Sequence, residues 1–591
     1  MSTLHNQRIA LRLINTCLRE NVRNILSMGR IEASEGRKFL VFEHLPEPCR
    51  IEVKESHSMQ TLRAINPHWE VLQHGQWIEQ QGARQWIRFL AQGLPGEAKA
   101  LYQNYELEVQ AAIEQTMLCD QTYTEQQHQL GFHVGLRNWA ERMLHADQMA
   151  SFLDHPYYPT ARAKFGMQTS ELKAYSPEFN PTFELTWFAV PASELERTGT
   201  EPAWWPTLAQ VGLPRSLANS HALLPVHPMM RAAIAREMPE SIEAPHTYLP
   251  VKPTLSVRTV AVLSHPASHI KLPMPIATLG QKNIRYIKPS TLKDGDWFAR
   301  ALASIEQTNE GIKGLYRHVD ESFTGCYKNL NIAGFLHRQY PPELPDETLA
   351  TVAALCSPMP SGKPYLLEYL EQHAQNIQEW WVSYCTLMIG VHLRLWIQHG
   401  IALESNQQNS VLSLRPGQPP TLVMKDNDAA RLWPQRFETT VASHGHSVHM
   451  LQDARILVND EAPLAHMFIT ITLQLNLLAV LDGLAQSGAL NRQQALLTLR
   501  RAIEHTLHNL RLEGFDTDLA TTLNYPQLND DARTTLKTLT FIEKEITTTD
   551  GHWYMARIKP YRTLANMIEG VVITLIDITA AKELESRLRQ R

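Results

Sequence analysis

Residues 399–431 read HGIALESNQQNSVLSLRPGQPPTLVMKDNDAAR, and no other stretch restricts the fold so tightly. Two β-type runs, Ser410 to Leu414 and Thr421 to Met424, flank Arg-Pro-Gly-Gln-Pro-Pro, whose prolines and glycine stop one strand and turn the chain into the next. The stretch predicts an antiparallel hairpin turning near Pro416 to Pro419. With Arg415 facing Pro420, Asn409 falls opposite Asp426 and Gln407 opposite Asp428, so four polar groups share one face. Directly opposed Cβ atoms lie about 4.5–5.5 Å apart. Two carboxylates that close repel each other unless a cation lies between them. A hard, oxygen-ligated ion such as Mg²⁺, itself carrying a nucleotide's phosphates, suits the set. A polar, solvated strand end is the alternative, because one residue of slip would separate the four.

A chain of 591 residues exceeds one ordinary core, so two to four domains or subdomains are expected. Its 43% hydrophobic and 19% charged residues are those of a folded globular protein. A formal charge of −5 supplies no basic surface for a nucleic acid backbone, which leaves small-molecule chemistry as the expectation. The cysteines at 17, 49, 119, 326, 356 and 385 are scattered, without CxxC or zinc-finger spacing, and read as reduced thiols of a cytoplasmic protein. The first residues show no apolar run behind a basic segment, so secretion is not expected. The most apolar window, Met467 to Ala485, contains Gln474, Asn476 and Asp482, groups that are costly in lipid. It predicts a buried helix and no membrane span.

Taken in order, apolar spacing at Ile9, Leu13, Cys17, Val22, Ile25 and Leu26 predicts a first helix. Phe39 to Phe42 and Ile51 to Val53 predict strands, and Gly96 to Ala150 a helical region rich in Gln and Glu. In DHPYYPTARAKFG (154–166), two prolines hold the chain extended, and His155, Tyr158, Arg162 and Lys164 cluster there. The segment reads as an anion site or as an ordinary surface loop. His227, in LPVHPMMR, fits a core histidine as well as a functional one.

A second hairpin is predicted from Thr254 to Leu263 and Ile270 to Leu279, joined by Ser-His-Pro-Ala-Ser. Ser256 and Arg258, two apart on a strand, point to one face, with Thr259 beside them; Lys271 and Arg285 follow on the next strand and beyond its turn. Three cations and two hydroxyls suit a triphosphate, which Arg grips in bidentate fashion and Lys meets as a point charge. A charged, merely solvated strand face is the alternative. The sequence holds no GxxxxGK[ST] and no GxGxxG, so a nucleotide must be held by side chains. Asp296 to about Gly400 reads as mainly helical, with Glu368 to Trp396 the longest candidate, and helices continue from Leu451 to about Leu512.

SVRT at 256–259, Lys271, HPYYPTARAKFG at 155–166, PVHP at 225–228, and HGIALESNQQN followed by KDND together resemble the NRPS-independent siderophore (NIS) synthetases of the aerobactin-synthetase type. The likeness runs from the start to about residue 512. It implies an α+β cupped hand, with a thumb-like region at 1–150, a fingers-like region with phosphate-binding strands at 151–330 and a palm-like helical region at 331–512. It also implies a homodimer that uses ATP and Mg²⁺ to activate a carboxylate of citrate or a related acid as an acyl-adenylate. Transfer to an amine or amino-alcohol follows, without nucleic acid or membrane.

By position, Ser256, Arg258, Thr259, Lys271 and Arg285 would hold phosphates or the carboxylate, while Glu404, Gln408, Asn409, Asp426 and Asp428 would surround the nucleotide and metal. Asn409, Asp426 and Asp428 take the metal side; His155, Arg162 and Lys164 join Arg285 on the substrate; Arg258, Lys271, Arg285 and Asn406 fall at catalytic positions. The chain departs from the family at Asn406, where a His is usual in E-A-H-x-Q-N; an amide donates a hydrogen bond but takes no proton. Tyr158 replaces the second His of HPxHP, and the Arg/Lys order after it is swapped.

From about Phe515, within a tail placed at 513–591, the sequence resembles the second half of a PAS sensor domain. Trp553 to Lys559 and Gly570 to Thr579 are its adjacent strands, and Ala580 to Arg591 the start of a signalling helix. The tail reads as a fused remnant or stabilising annex, or as a working sensor. The function expected is an AMP-forming siderophore ligase. The rivals are a metabolite-binding signalling protein without turnover and a kinase-like phosphotransferase releasing ADP.

Overall fold

The computed structural model describes residues 2–522, except 57–59, 134, 137, 343, 345–346 and 442–446, together with three strands of the tail. The first helix, Ser2–Arg19, buries Ile9, Leu13 and Cys17 against a six-stranded antiparallel sheet built from residues 30–81. It is shorter than its apolar spacing predicts, because Asn21 and Arg23 take positive φ and break the chain into a short turn over Val22–Asn24. The expected strands lie within Arg37–Phe42 and Cys49–Glu55. Two helices, Gly96–Gln126 and Trp139–Ser151, occupy the Gln- and Glu-rich region.

A nine-stranded sheet follows, running between residues 183 and 339. Its middle holds the predicted second hairpin, with strands Thr259–Val262 and Ser268–Lys271 shorter than expected. The register pairs Thr259 with Lys271 and Ala261 with His269. Residues 254–258 are not strand, which corrects the shared-face reading of Ser256 and Arg258. Thr254 N donates to Thr259 O (2.9 Å) and Val257 has φ +65°, so both residues sit in the turn that leads into the hairpin.

The expectation of helix from Asp296 to Gly400 is also corrected. After the helix Pro289–Thr308 come four short strands, Tyr316–His318, Thr324–Tyr327, Gly334–Gln339 and Thr348–Thr351. Most of their residues are buried, so no alternation of polar and apolar marks them in the sequence. Two helices, Tyr365–Gln372 and Ile377–His399, replace the long one, with Ala374 at positive φ between them.

The strands Ser410–Leu414 and Thr421–Met424 form the predicted hairpin at the centre of a four-stranded sheet, flanked by Thr348–Thr351 and, in parallel, by Tyr316–His318. This sheet shares its core with the helix Ile377–His399. The apolar window forms a helix, Ala462–Gln486, the one among the described residues long and apolar enough to cross a membrane. Its Thr472 and Asn476 are buried and hydrogen-bonded inside the protein, as a core helix requires. In the tail, Ile542–Thr547, Trp553–Arg562 and Ile568–Asp577 make a three-stranded antiparallel sheet. The helix expected from Ala580 lies outside the described residues.

Candidate active site

Lys271 ends its strand and pairs on one side with Thr259 and on the other with Leu336 of Gly334–Gln339. Directly opposed residues share a face and alternate residues return to it, so Lys271 and Arg338 point the same way. The other wall comes from the hairpin at 410–424. Its register pairs Ser410 with Met424 and Ser413 with Thr421, one residue off the predicted one. Lys425, not Asp426, therefore lies opposite Asn409, and its N–H donates to Asn409 O (3.2 Å). The slip follows from the turn: Gln418 N closes on Arg415 O (3.1 Å) around Pro416 and Gly417, the latter at φ +68°.

The carboxylates meet by another route. Asp426 adopts a left-handed backbone (φ +58°) and reverses the chain into a short helical turn, Asn427–Ala429. Asp426 and Asp428 thereby both reach Lys271, whose Nζ lies 2.6 Å from Asp426 Oδ1 and 3.7 Å from Asp428 Oδ1. Arg338 adds a second cation 3.0 Å from the same Asp426 oxygen. Burial alone would raise the Asp426 pKa, but Arg338 and Lys271 hold it well below the usual carboxylate range.

Arg258 and Arg285 complete the basic side. Arg258 Nη1 donates to Tyr286 O (2.8 Å), which ties it to the segment that carries Arg285. Burial, then the neighbouring Arg285 charge, pushes the Arg258 pKa down to about 10, against the pull of Asp426 and Asp428. Burial lowers Arg285 as well, and its Nε has no hydrogen-bond partner among the described residues. Two buried guanidiniums that repel each other favour an anion between them. Ser256 Oγ caps Thr259 N (3.2 Å) and fixes the turn that holds Arg258.

The segment 404–409 closes the acidic side. Asn406 Oδ1 accepts the N–H groups of Gln408 and Asn409 (both 2.9 Å), so this amide shapes the loop. Asn409 Nδ2 donates to Glu404 O (3.0 Å) and Glu404 Oε2 (3.4 Å). Burial, then Asp426 and Asp428, pushes the Glu404 pKa up to about 7. The segment is pinned from below by the π-helix Phe468–Leu478. Asn476 Nδ2 donates to Ser405 O (2.8 Å) and Ser410 Oγ (3.1 Å), and Thr472 Oγ1 bonds Ser405 Oγ (2.7 Å).

The three other expected substrate residues lie on the 154–166 segment, where Phe165 bridges Ala277 and Ala277 in turn bridges Ile284, the neighbour of Arg285. Arg162 pairs with Asp154 (2.9 Å) and caps the end of the Trp139–Ser151 helix through Phe152 O (3.0 Å) and Ser151 O. Lys164 pairs with buried Glu178 (2.5 Å), and His155 Nδ1 accepts the N–H groups of Tyr157 and Tyr158 (3.2 and 3.0 Å). These groups hold the 154–166 segment together and have no bond to the Lys271 cluster. His227 is fully buried against Tyr175 and Phe183, with its pKa pushed down to about 3 by burial, a core histidine.

The sequence reading missed Glu321 and Arg338, a fully buried pair 2.6 Å apart. Glu321 stands in a connection between two strands that were read as helix, so no spacing pattern exposed it. Among the described residues no three His, Cys, Asp or Glu side chains form a cage for an ion. Mg²⁺ needs none, since one or two carboxylates and substrate phosphates suffice, and the oxygens of Asp426, Asp428 and Asn409 fit that chemistry.

Three family models match the chain: the IucA / IucC family over residues 142–357, a ferric iron reductase FhuF-like transporter over 378–544 and a PAS domain over 517–579. Rhizobactin siderophore biosynthesis protein RhbC of Rhizobium meliloti (strain 1021) is 25% identical over 403 residues, 61% of this chain and 65% of that protein. The L-2,3-diaminopropanoate–citrate ligase of Staphylococcus aureus (strain NCTC 8325 / PS 47) is 23% identical over 311 residues, 47% of this chain and 52% of that protein. The chain thus spans about half to two thirds of the length of these curated relatives.

Among solved structures, petrobactin biosynthesis protein AsbB from Bacillus anthracis str. Sterne superposes with a TM-score of 0.70 at 15% identity, covering 99% of this chain and 97% of that one. ATP-bound aerobactin synthetase IucA from a hypervirulent pathotype of Klebsiella pneumoniae gives 0.66 at 16%, covering 85% and 92%. At these identities the likeness is one of fold. Residues 142–357 match the IucA / IucC family, residues 517–579 match a PAS domain, and the chain shares the fold of these solved siderophore biosynthesis proteins.

Proposed function

We propose that this chain is an ATP-dependent, AMP-forming ligase that joins a carboxylate of citrate, or of a related acid, to an amine or amino-alcohol in making a siderophore. The observation that carries the reading is the convergence of Lys271 on Asp426 and Asp428, with Arg258 and Arg285 buried beside them. The names of relatives that ligate citrate, and of an ATP-bound neighbour of the same fold, support it.

In this reading Arg258 and Arg285 grip the phosphates and the attacking carboxylate, and Ser256 and Thr259 shape the turn beneath them. Asp426 and Asp428, with Asn409, hold Mg²⁺, which when bound supplies neutralisation of phosphate charge. Lys271 exchanges its carboxylate partners for phosphate oxygen as the nucleotide enters. A carboxylate oxygen of the acid then attacks the α-phosphorus, and pyrophosphate leaves. The amine or hydroxyl attacks the acyl carbon, AMP departs with the bonding pair, and the nucleophile loses its proton. Catalysis is positioning and stabilisation of developing charge by fixed cations, without a covalent enzyme intermediate.

The thumb, fingers and palm divisions at 1–150, 151–330 and 331–512, the homodimer and the cytoplasmic setting belong to the same proposal. The test is to incubate the protein with ATP, Mg²⁺, citrate and a panel of diamines and amino-alcohols and to identify the nucleotide product. AMP formed only with an acid present supports the ligase. ADP would indicate a phosphotransferase, and ligand binding without turnover the signalling alternative.

A further inference from the structure

We infer that Glu321 and Arg338 are positioning residues that set Asp426 in place to receive the metal-bound nucleotide; the inference rests on the ligase reading. Asp426 occupies a left-handed conformation that non-glycine residues adopt rarely, so its surroundings hold it there. Glu321 does so directly. Its Oε1 accepts the N–H of Asp426 (3.1 Å) and its Oε2 the N–H of Asn427 (3.0 Å), the two groups at which the chain reverses. Arg338 fixes the carboxylates from the other side, with Nε 2.7 Å from Glu321 Oε1 and Nη2 2.6 Å from the same oxygen and 3.0 Å from Asp426 Oδ1.

The clamp is anchored to rigid structure. Arg338 lies within the strand Gly334–Gln339, and the residue before Glu321, Asp320, is bridged to Gln339 by two backbone hydrogen bonds (2.9 and 2.8 Å). Glu321 is 0% and Arg338 1% exposed in their side chains. A buried ion pair is a poor source of stability, because desolvation offsets its attraction and an apolar pair of similar volume does as well. What an apolar pair cannot do is accept two backbone N–H groups and hold an Asp side chain at a fixed point. Groups that orient a ligand of a metal typically change metal affinity by about 10–100-fold when removed.

The test measures binding, apart from turnover. Mn²⁺ and a non-hydrolysable ATP analogue are titrated by calorimetry into wild type, E321A, E321Q and R338M, with and without the metal, after folding is checked by circular dichroism. We expect the metal-dependent gain in analogue affinity to fall at least about tenfold in E321A and R338M. Metal-free binding should stay near wild type. E321Q, isosteric and still able to accept one N–H, should fall between them, and it serves as the reading if R338M does not fold. Variants that keep the full metal-dependent gain would overturn the positioning role and leave the ligase reading standing. Wild type with no metal-dependent gain would overturn both.

Discussion

Lys271 Nζ stands 2.6 Å from Asp426 Oδ1 across 155 residues of sequence; the first ends a strand of the nine-stranded sheet and the second lies just past a strand of the four-stranded one. A cation from the nine-stranded sheet thus neutralises a carboxylate at the rim of the four-stranded one. Substituting Lys271→Met removes the cation shared by Asp426 and Asp428 but leaves Arg338 on Asp426. Adenylate formation should fall by about 100-fold or more, the scale of losing one fixed donor to developing charge. Stability should fall by about 1–3 kcal/mol, read from urea unfolding. Near-normal turnover in the folded variant would remove Lys271 from the mechanism.

Glu404 gives a pH signature. Its folded pKa of about 7 lies above the ordinary carboxylate value of 4.5 because burial and then Asp426 and Asp428 disfavour its charge. A raised folded pKa means stabilisation that is complete below 4.5 and is lost as pH rises through 7. Unfolding free energy should therefore decline across that window in wild type and decline less in Glu404→Gln. A metal-bound nucleotide draws the proton off, so near pH 6.5 its binding should release protons, detected calorimetrically in buffers of different ionisation enthalpy. Equal proton release by Glu404→Gln would show that another group is the source.

Arg162 belongs to the structure of the 154–166 segment, where it pairs with Asp154, itself also held by Arg8 (2.7 Å). Arg162→Met leaves Asp154 short of a buried partner and should cost about 3–5 kcal/mol. Nucleotide affinity per folded molecule should stay within about twofold, measured by calorimetry on protein whose folded fraction is known. A selective loss of acid or nucleotide binding at unchanged stability would restore Arg162 to the site.

The residues gathered around Lys271 and Asp426 were in part legible; their geometry was not. Hairpin chemistry marked Arg-Pro-Gly-Gln-Pro-Pro and Ser-His-Pro-Ala-Ser, and so exposed the ribbons that carry Lys271 and lead to Asp426. Register escaped because the strands at 410–414 and 421–424 are buried throughout, and a one-residue slip then meets no polar face to penalise it. Asp426 and Asp428 converge through a left-handed residue that strand reasoning does not anticipate. Arg162 and Lys164 are answered by Asp154 and Glu178, and Glu178 lies outside the motif, so that pairing did not show in the sequence. Arg338 stood in a strand too buried to show a period, and Glu321 in a connection between two short buried strands.

Asn476 ties the 404–410 segment to the π-helix, bonding Ser405 O, Ser410 Oγ and the hydroxyl of Tyr384. Asn476→Leu strands these buried groups and should destabilise by about 1–3 kcal/mol for each one left unpaired. It should also raise the KM for nucleotide more than it lowers kcat, since Glu404 and Asn409 lose their footing. Steady-state kinetics on the folded variant checks this, and an unchanged KM would separate the helix from the site.

In the proposed reaction Lys271, Arg258 and Arg285 on one side and Asp426 and Asp428 on the other hold a metal-bound nucleotide while an acid is adenylated. Exchange of labelled pyrophosphate into ATP reads that step alone, before any amine is chosen. Wild type should catalyse exchange that requires both Mg²⁺ and citrate or a related acid, and folded Arg258→Ala should lose it. Exchange that persists in Arg258→Ala, or its absence from wild type with every acid tried, would contradict the account.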